Sequence, residues 1–528
     1  MGSQKTRFFL NFLRFFHFRL RSLEVSVLSN GKKALIGRRL SLTMLLACLG
    51  LSVQAQPLQA LPDVLVHAAK ACHVDPQAVT LSVVPLKDLR VPEDRPMPQV
   101  EPLIAVNADR HVSPASTAKL VTTLAGLERL GANWRWKTYF YADERPDEKG
   151  RVSQLYLKGG GDPTLVVEKF ALLVDRMAQL GVRHIEGDLV IDRSFFDLPE
   201  GDPSAFDGRG SRPYNQLPDA AVVGYRNLSF EFVPDIKAKK ARIVAMPPLA
   251  GMDVPTSIPL SKGVCGDWKE SIGYSLKQTK DGRLVVSFNG KLPKACGPKT
   301  FNVISLEADE FLERLFRGYW EKDGRTWTGH VRRGEVPQEA TMIAGHTSDA
   351  LSDVTVLVNK WSNNLIARHI YLSLGALKER DDEDAPLRIK MDDAREVLAK
   401  WLTEKGVPLS DIYIENGSGL SRVSHVTARA MTQLLAAGWV SPRMPEYMSS
   451  LPISGVDGTM RKRKEALGRA HLKTGYLADV RSIGGYIYAQ NGERYAIFAS
   501  VHGERNMPGG IRFLNRVIEW TYEQKPQK

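Results

Sequence analysis

Ser113-Pro114-Ala115-Ser116-Thr117-Ala118-Lys119 opens the segment on which the reading of this chain turns. Ser113 is a candidate cap, Pro114 suits a first turn, and residues 115–130 run in good helix formers until Gly131 stops them. Residues three apart share a helix face, so the Ser116 hydroxyl and the Lys119 amine are expected to meet. A serine is a poor nucleophile until a base takes its proton, and a lysine serves only where desolvation or neighbouring cations hold it neutral. A helix start adds free N–H groups and the positive end of the dipole beside an attacked carbonyl.

The four-residue pattern is weak alone, since Ser29-Asn30-Gly31-Lys32 repeats it without a helix start. Two later stretches give it company. Ser362-Asn363-Asn364, between helical segments, offers a hydroxyl that can relay a proton and an amide that can bind a peptide bond. Ser287-Phe288-Asn289 has the same spacing but runs into an Asn289-Gly290 turn, which accounts for it. Lys473-Thr474-Gly475, on a strand expected over residues 471–474, supplies a cation and a hydroxyl for a carboxylate, and its glycine admits a substrate backbone. The next N–H, from Tyr476, is then placed to share an oxyanion hole with that of Ser116.

The chain has 528 residues, too many for one ordinary core, so two or three domains are expected. Residues 1–55 read as a leader: scattered basic residues to Arg38-Arg39, the apolar run 40–53, and Val53-Gln54-Ala55 as a cleavage signal. Leu45-Leu46-Ala47-Cys48 has some likeness to a lipoprotein box, but the apolar run continues past the cysteine, which favours an ordinary signal peptide and export to the periplasm. The net charge of +13 falls to +5 once the leader's nine Lys or Arg and one Glu are set aside. That excess is too mild for a nucleic-acid partner and fits a solvated basic face, or peripheral contact with anionic wall polymer or membrane. In an exported chain Cys265 and Cys296, in one Gly/Pro/Lys-rich region, are expected to pair, a gain of about 3 to 4 kcal/mol in the chain-entropy model; Cys72 is left as a buried thiol. The histidines show no metal-ligand spacing, and no metal or cofactor is expected.

Periodicity predicts a helix over 57–72 and strands over 80–85, 102–107, 134–141 and 151–158, with Gly159-Gly160-Gly161-Asp162-Pro163 as a turn. Residues 185–335 alternate short β-patterned segments with Pro, Gly and Lys. Helices follow from about 351 and over 364–374, 392–405 and 427–438, then a hairpin of 483–489 with 495–501 around Asn491-Gly492, and a last helix over 509–524. Asp162, Asn416, Ser418 and Asp457 lie near glycines and read as turn formers, Arg461 and Arg463 as a solvated basic cluster, and 379–384 as an acidic surface loop.

The three motifs in this order are the signature of penicillin-binding proteins and serine β-lactamases. With Gly159 to Pro163, Asn416-Gly417-Ser418-Gly419-Leu420-Ser421 and Ser454-Gly455-Val456-Asp457-Gly458-Thr459, the chain resembles the class C low-molecular-mass penicillin-binding proteins, the D-alanyl-D-alanine carboxypeptidase/endopeptidase family, over nearly all of 56–528. The resemblance implies an α/β (α+β) transpeptidase/β-lactamase-like domain, an antiparallel sheet flanked by helices, split by a β-rich insertion between the first two motifs. Its parts are then 56–140 and 341–528, with the insertion over 141–340. It implies a serine peptidase acting on peptidoglycan peptides and acylated by β-lactams, with Ser116, Lys119 and Ser362 catalytic, Asn364, Lys473, Thr474 and Gly475 holding substrate, and no cofactor. Two features depart from the family. Where some members carry an aspartate from the insertion, Pro213-Tyr214-Asn215-Gln216 offers amides, and Tyr476 stands where small hydroxyl residues are common. A β-lactamase on the same fold needs a group to activate deacylating water, and no Glu or Tyr motif for one is evident; a non-catalytic wall-binding protein would not need all three motifs.

Overall fold

The computed structural model describes residues 59–89, 97–379 and 386–525. The leader with its Ser29 pattern and Cys48, and the acidic run beyond Glu379, lie outside these residues.

Strands from the two ends of the chain build one five-stranded antiparallel sheet, in the order Ile104–Val106, Val79–Pro85, Arg494–His502, Val480–Tyr488, Ala470–Leu477. The expected C-terminal hairpin is its centre, with Tyr488 opposite Arg494, and Val79 pairs with Val501 across most of the sequence. Both faces are covered, so the central strands are buried almost residue by residue. Ile483, Ile497 and Val501 meet Phe513, Leu514 and Val517 of the C-terminal helix Met507–Tyr522 and Leu65 of Asp63–Ala71. The alternate side chains Tyr486, Ala496 and Phe498 face Leu120, Leu124, Met431 and Leu435 from the helical layer.

The segment between the first two motifs leaves and returns on neighbouring strands, Lys137–Ala142 and Thr341–Thr347, which pair antiparallel. They belong to a second five-stranded sheet, and a third contains Leu228–Asp235 and Lys240–Met246. Phe140, Leu157, Phe170, Phe230, Phe316 and Trp320 share a core separate from that of the first sheet. Cys265 and Cys296 are joined as a disulfide with Cα atoms 4.6 Å apart, and Cys72 is a buried free thiol. Two helices also lie within this β-rich region, Val167–Gln179 and Ala308–Trp320, and the latter falls where the sequence predicts short strands and turns. In the second, Phe311, Leu312, Leu315 and Phe316 are buried at helical spacing, a signal obscured by the Pro, Gly and Lys around it.

The helix that carries Lys119 starts differently from the expectation. Ala115 has a left-handed φ of 47°, a 3-10 turn spans Ala115–Thr117, and the α-helix follows over Ala118–Arg129. Ser113 is therefore not the cap: its Oγ meets only the Ala115 N–H, at 3.4 Å. The positive φ turns the chain before the helix begins, and the Pro114 carbonyl pins the corner by accepting from Thr117 Oγ1 at 2.5 Å and Ser482 Oγ at 2.8 Å. Such backbone strain, at the residue before the serine, is what an over-determined functional site sustains.

Candidate active site

Ser116 and Lys119 meet as the three-residue spacing requires. Lys119 is fully buried, and its Nζ lies 3.1 Å from Ser116 Oγ, 2.7 Å from Asn364 Oδ1 and 2.5 Å from the Ser418 carbonyl. Burial pushes the Lys119 amine well below its ordinary pKa, and the cations Lys473 and Arg368 push it further. A neutral amine has two N–H donors and one lone pair. Asn364 Oδ1 and the Ser418 carbonyl can only accept, so once the amine is neutral they can take its two donors, and its lone pair is free for the Ser116 hydroxyl.

Both acceptors are held by local structure. Asn364 starts the helix Asn364–Ser373, capped by Asn363, and its Nδ2 donates to the Tyr214 carbonyl at 2.9 Å; this contact from the insertion sets which way the amide faces. Asn416 accepts from Ser418 N at 3.1 Å and Ser418 Oγ at 2.8 Å, so the turn formed there presents the Ser418 carbonyl to Lys119. Gly419, at φ 78°, lies so close to Ala115 that a Cβ would sit 1.8 Å from the Ala115 oxygen, which ties this turn to the nucleophile. On the same helix as Asn364, buried Arg368 donates to the Gln216 carbonyl at 2.5 Å. His369, its pKa pushed down to about 4 by burial, bonds Gly161 O through Nδ1 at 2.8 Å and meets the Asp219 N–H at Nε2 at 3.4 Å. One neutral tautomer satisfies both contacts and locks the insertion to the helix.

Ser362 ends the helix Leu351–Trp361 in the left-handed region, φ 59°, which turns its hydroxyl to Lys473 Nζ at 2.9 Å. Lys473 also donates to the Thr474 carbonyl at 2.9 Å, and burial lowers its pKa to about 7. Its strand, Ala470–Leu477, is the edge of the catalytic sheet. Ser454 N–H donates to the Ala470 carbonyl and Leu472 N–H to Pro452, both away from the sheet. The period of two then turns the backbone groups of Thr474 and Tyr476 to the same open edge. Gly475 packs against the nucleophile corner: a Cβ there would lie 2.1 Å from Ser482 Oγ, 2.9 Å from Pro114 O and 3.0 Å from Ala115 Cβ. Tyr476 is 65% exposed, and the Arg481 guanidinium lies 3.4 Å from its ring centre. Thr474 Oγ1 and Thr459 Oγ1 are 2.9 Å apart.

The insertion reaches the cleft at residues 206–216. Phe206 packs with Ala115, Leu420, Leu477 and Val480, and Arg422 lies 4.2 Å from its ring centre. Asp207 accepts from the Tyr214 hydroxyl at 2.8 Å and Asn215 Nδ2 at 2.7 Å; these bonds outweigh the effect of burial and hold its carboxyl below the usual range. An acid therefore accompanies the amides noted in the sequence. Asp207 lies in the stretch expected to alternate short β-patterned segments with Pro, Gly and Lys, and neither it nor Ser482 belongs to a motif, so only proximity in space gives them a signal. Asp162 and Asp457 are turn formers: Asp162 accepts from Thr164 N and Oγ1 at 2.7 and 2.8 Å, and Asp457 accepts from Ile453 N at 2.9 Å. Ser287 lies on a strand of the insertion, paired with Ser275. Among the described residues no group of three or more His, Cys, Asp or Glu could hold a metal ion.

The chain is 29% identical over 450 residues to a D-alanyl-D-alanine carboxypeptidase of Actinomadura sp. (strain R39), covering 81% of this chain and 80% of that protein. It is 22% identical over 405 residues to the D-alanyl-D-alanine carboxypeptidase DacB of Haemophilus influenzae, covering 75% and 82%. The crystal structure of penicillin binding protein 4 (dacB) from Haemophilus influenzae superposes with a TM-score of 0.66 at 18% identity, over 88% of this chain and 100% of that one, so the fold is shared. Residues 95–511, more than half of the chain, match the D-Ala-D-Ala carboxypeptidase 3 (S13) family, and this chain belongs to that family of serine peptidases.

Proposed function

We propose that the chain hydrolyses peptidoglycan peptides ending in D-Ala-D-Ala, and D-alanyl cross-links, through an acyl-enzyme on Ser116. The observation that carries this is the buried Lys119 amine, whose Nζ stands within hydrogen-bond distance of Ser116 Oγ, Asn364 Oδ1 and the Ser418 carbonyl. Lys119 takes the hydroxyl proton as Ser116 attacks the penultimate D-alanyl carbonyl. The N–H groups of Ser116 and Tyr476 receive the oxyanion. Collapse of the tetrahedral species breaks the C–N bond, and the proton passes from Lys119, with Ser362, to the departing amine. Water then cleaves the ester. Lys473 and Thr474 hold the terminal carboxylate, the second N–H of Asn364 is available to the peptide, and Gly475 lets the substrate lie along the edge strand. A β-lactam presents a strained amide to the same serine. The substrate lies outside the cytoplasmic membrane, in keeping with export to the periplasm by the leader.

Defined muropeptide monomers and cross-linked dimers test this: D-alanine is released from the former and monomers from the latter, while penicillin labels the protein persistently. Absence of both products would sink the proposal, and rapid penicillin turnover would replace it with a β-lactamase.

The two lysines give the activity a pH signature. As pH falls, Lys119 is protonated and the base is lost. As pH rises through about 7, Lys473 loses the charge that grips a carboxylate. For a peptide with a free C-terminus, kcat/KM is expected to decline on both sides; for its C-terminal amide, the limb near 7 is expected to vanish. Lys473→Ala is expected to move the acid limb to higher pH, since Lys473 depresses Lys119. An unchanged alkaline limb with the amide would remove Lys473 from carboxylate binding.

A further inference from the structure

Residues 453–469, leading into the edge strand, carry a surface that the reaction does not use. Ser454 closes this loop: its Oγ donates to the carbonyls of Arg463 at 3.0 Å and Glu465 at 2.6 Å, and its own carbonyl accepts from Gly468 N at 2.9 Å. Three contacts fix the loop beside the cleft: the Lys360–Asp457 ion pair, Thr459 with Thr474, and Asn515 donating to Glu465 at 3.0 Å.

On this frame stand three apolar side chains in water: Trp361, Val456 and Leu467, exposed by 62%, 58% and 61%. Leu467 lies over Gly455, where a Cβ would be 2.2 Å from its Cδ1, and Val456 is the next residue. Gly458 packs on the backbone of Lys360, with a Cβ position 3.1 Å from the Lys360 Cα, which brings the end of the Trp361 helix to the same rim. Arg461, Lys462, Lys464 and Arg469 are exposed around them. With Lys360, the loop has a net charge of +4, and its two carboxylates are already engaged by Lys360 and Asn515.

We propose that residues 453–469 and Trp361 form a docking surface for an anionic phospholipid membrane, with the catalytic cleft at its margin. An indole and aliphatic side chains gain by entering the interfacial layer, while the lysines and arginines pair with headgroups. A soluble polyanion would reward the cations but leave Trp361, Val456 and Leu467 in water. A protein partner needs roughly 800 Å² of matching surface on each side, more than three scattered apolar side chains provide.

Co-sedimentation of the full chain with phosphatidylglycerol or phosphatidylcholine vesicles tests the proposal, the leader being common to every variant. The wild type is expected to bind phosphatidylglycerol and to lose that preference in high salt. R461Q/K462Q/K464Q is expected to bind on the order of a hundredfold more weakly, and Trp361→Ser/Leu467→Ser about tenfold more weakly, with thermal melting showing that each is folded. Wild-type binding by the charge variant overturns the proposal. So does wild-type binding by the apolar variant, which would identify a surface for soluble polyanions.

Discussion

Ser116→Ala removes covalent penicillin labelling and lowers D-alanine release on the order of a millionfold, since a serine and its base act as one unit and loss of either forfeits nearly all their joint effect. Lys119→Met tests the same unit from the other side. The hydroxyl remains, but no group takes its proton, and acylation is expected to slow by about ten-thousandfold. The two substitutions differ structurally. Ser116 is half-buried and its loss removes one hydroxyl, whereas Lys119 fills a buried site and satisfies Asn364 Oδ1 and the Ser418 carbonyl. Lys119→Met therefore leaves two acceptors without a donor, at about 1 to 3 kcal/mol each, and lowers the melting temperature where Ser116→Ala does not. Mass spectrometry of the penicillin adduct with parallel melting curves reads both effects; labelling of Lys119→Met at the native rate would end its role as base.

Gly475→Ala is expected to lower acylation by a hundredfold to a thousandfold, about the loss of one oxyanion-hole donor. The cause is space rather than backbone freedom. A methyl group 2.1 Å from Ser482 Oγ and 2.9 Å from Pro114 O cannot be accommodated, so the edge strand must move from the nucleophile corner and take the Tyr476 N–H with it. Ser482→Ala removes the nearest atom but also the hydrogen bond that pins Pro114. The double variant is expected to regain part of the melting temperature lost by Gly475→Ala, while its acylation stays slow. Burst amplitude and rate with a chromogenic cephalosporin measure the second quantity, and native kinetics in the single variant would remove Gly475 from the geometry of the site.

The elements that sequence made legible are those governed by local rules. The spacing of Ser116 and Lys119 is a helix property, and the 480–502 hairpin follows from alternating apolar residues around Asn491-Gly492. Both depend on neighbours in the chain. The start of the helix that carries Lys119 departs from the local expectation: Ser113 has a capping side chain, but Ala115 takes a left-handed φ beside a Pro114 carbonyl held both by nearby Thr117 and by Ser482, far along the chain.

Composition and motif order thus specified the chemistry available: a nucleophile, an amine, a second hydroxyl, an amide and a cationic strand. Which of them touch was decided by tertiary structure, because a pKa and a hydrogen bond depend on what surrounds a group in space. Burial, Lys473 and Arg368 together lower the Lys119 pKa, and Asn364 Oδ1 and the Ser418 carbonyl stand on the sides of the amine that Ser116 does not occupy. Asn364 in turn is oriented by Tyr214 from an insertion that the sequence showed as a separate β-rich block. Residues hundreds of positions apart supply those partners, and no local pattern records their approach.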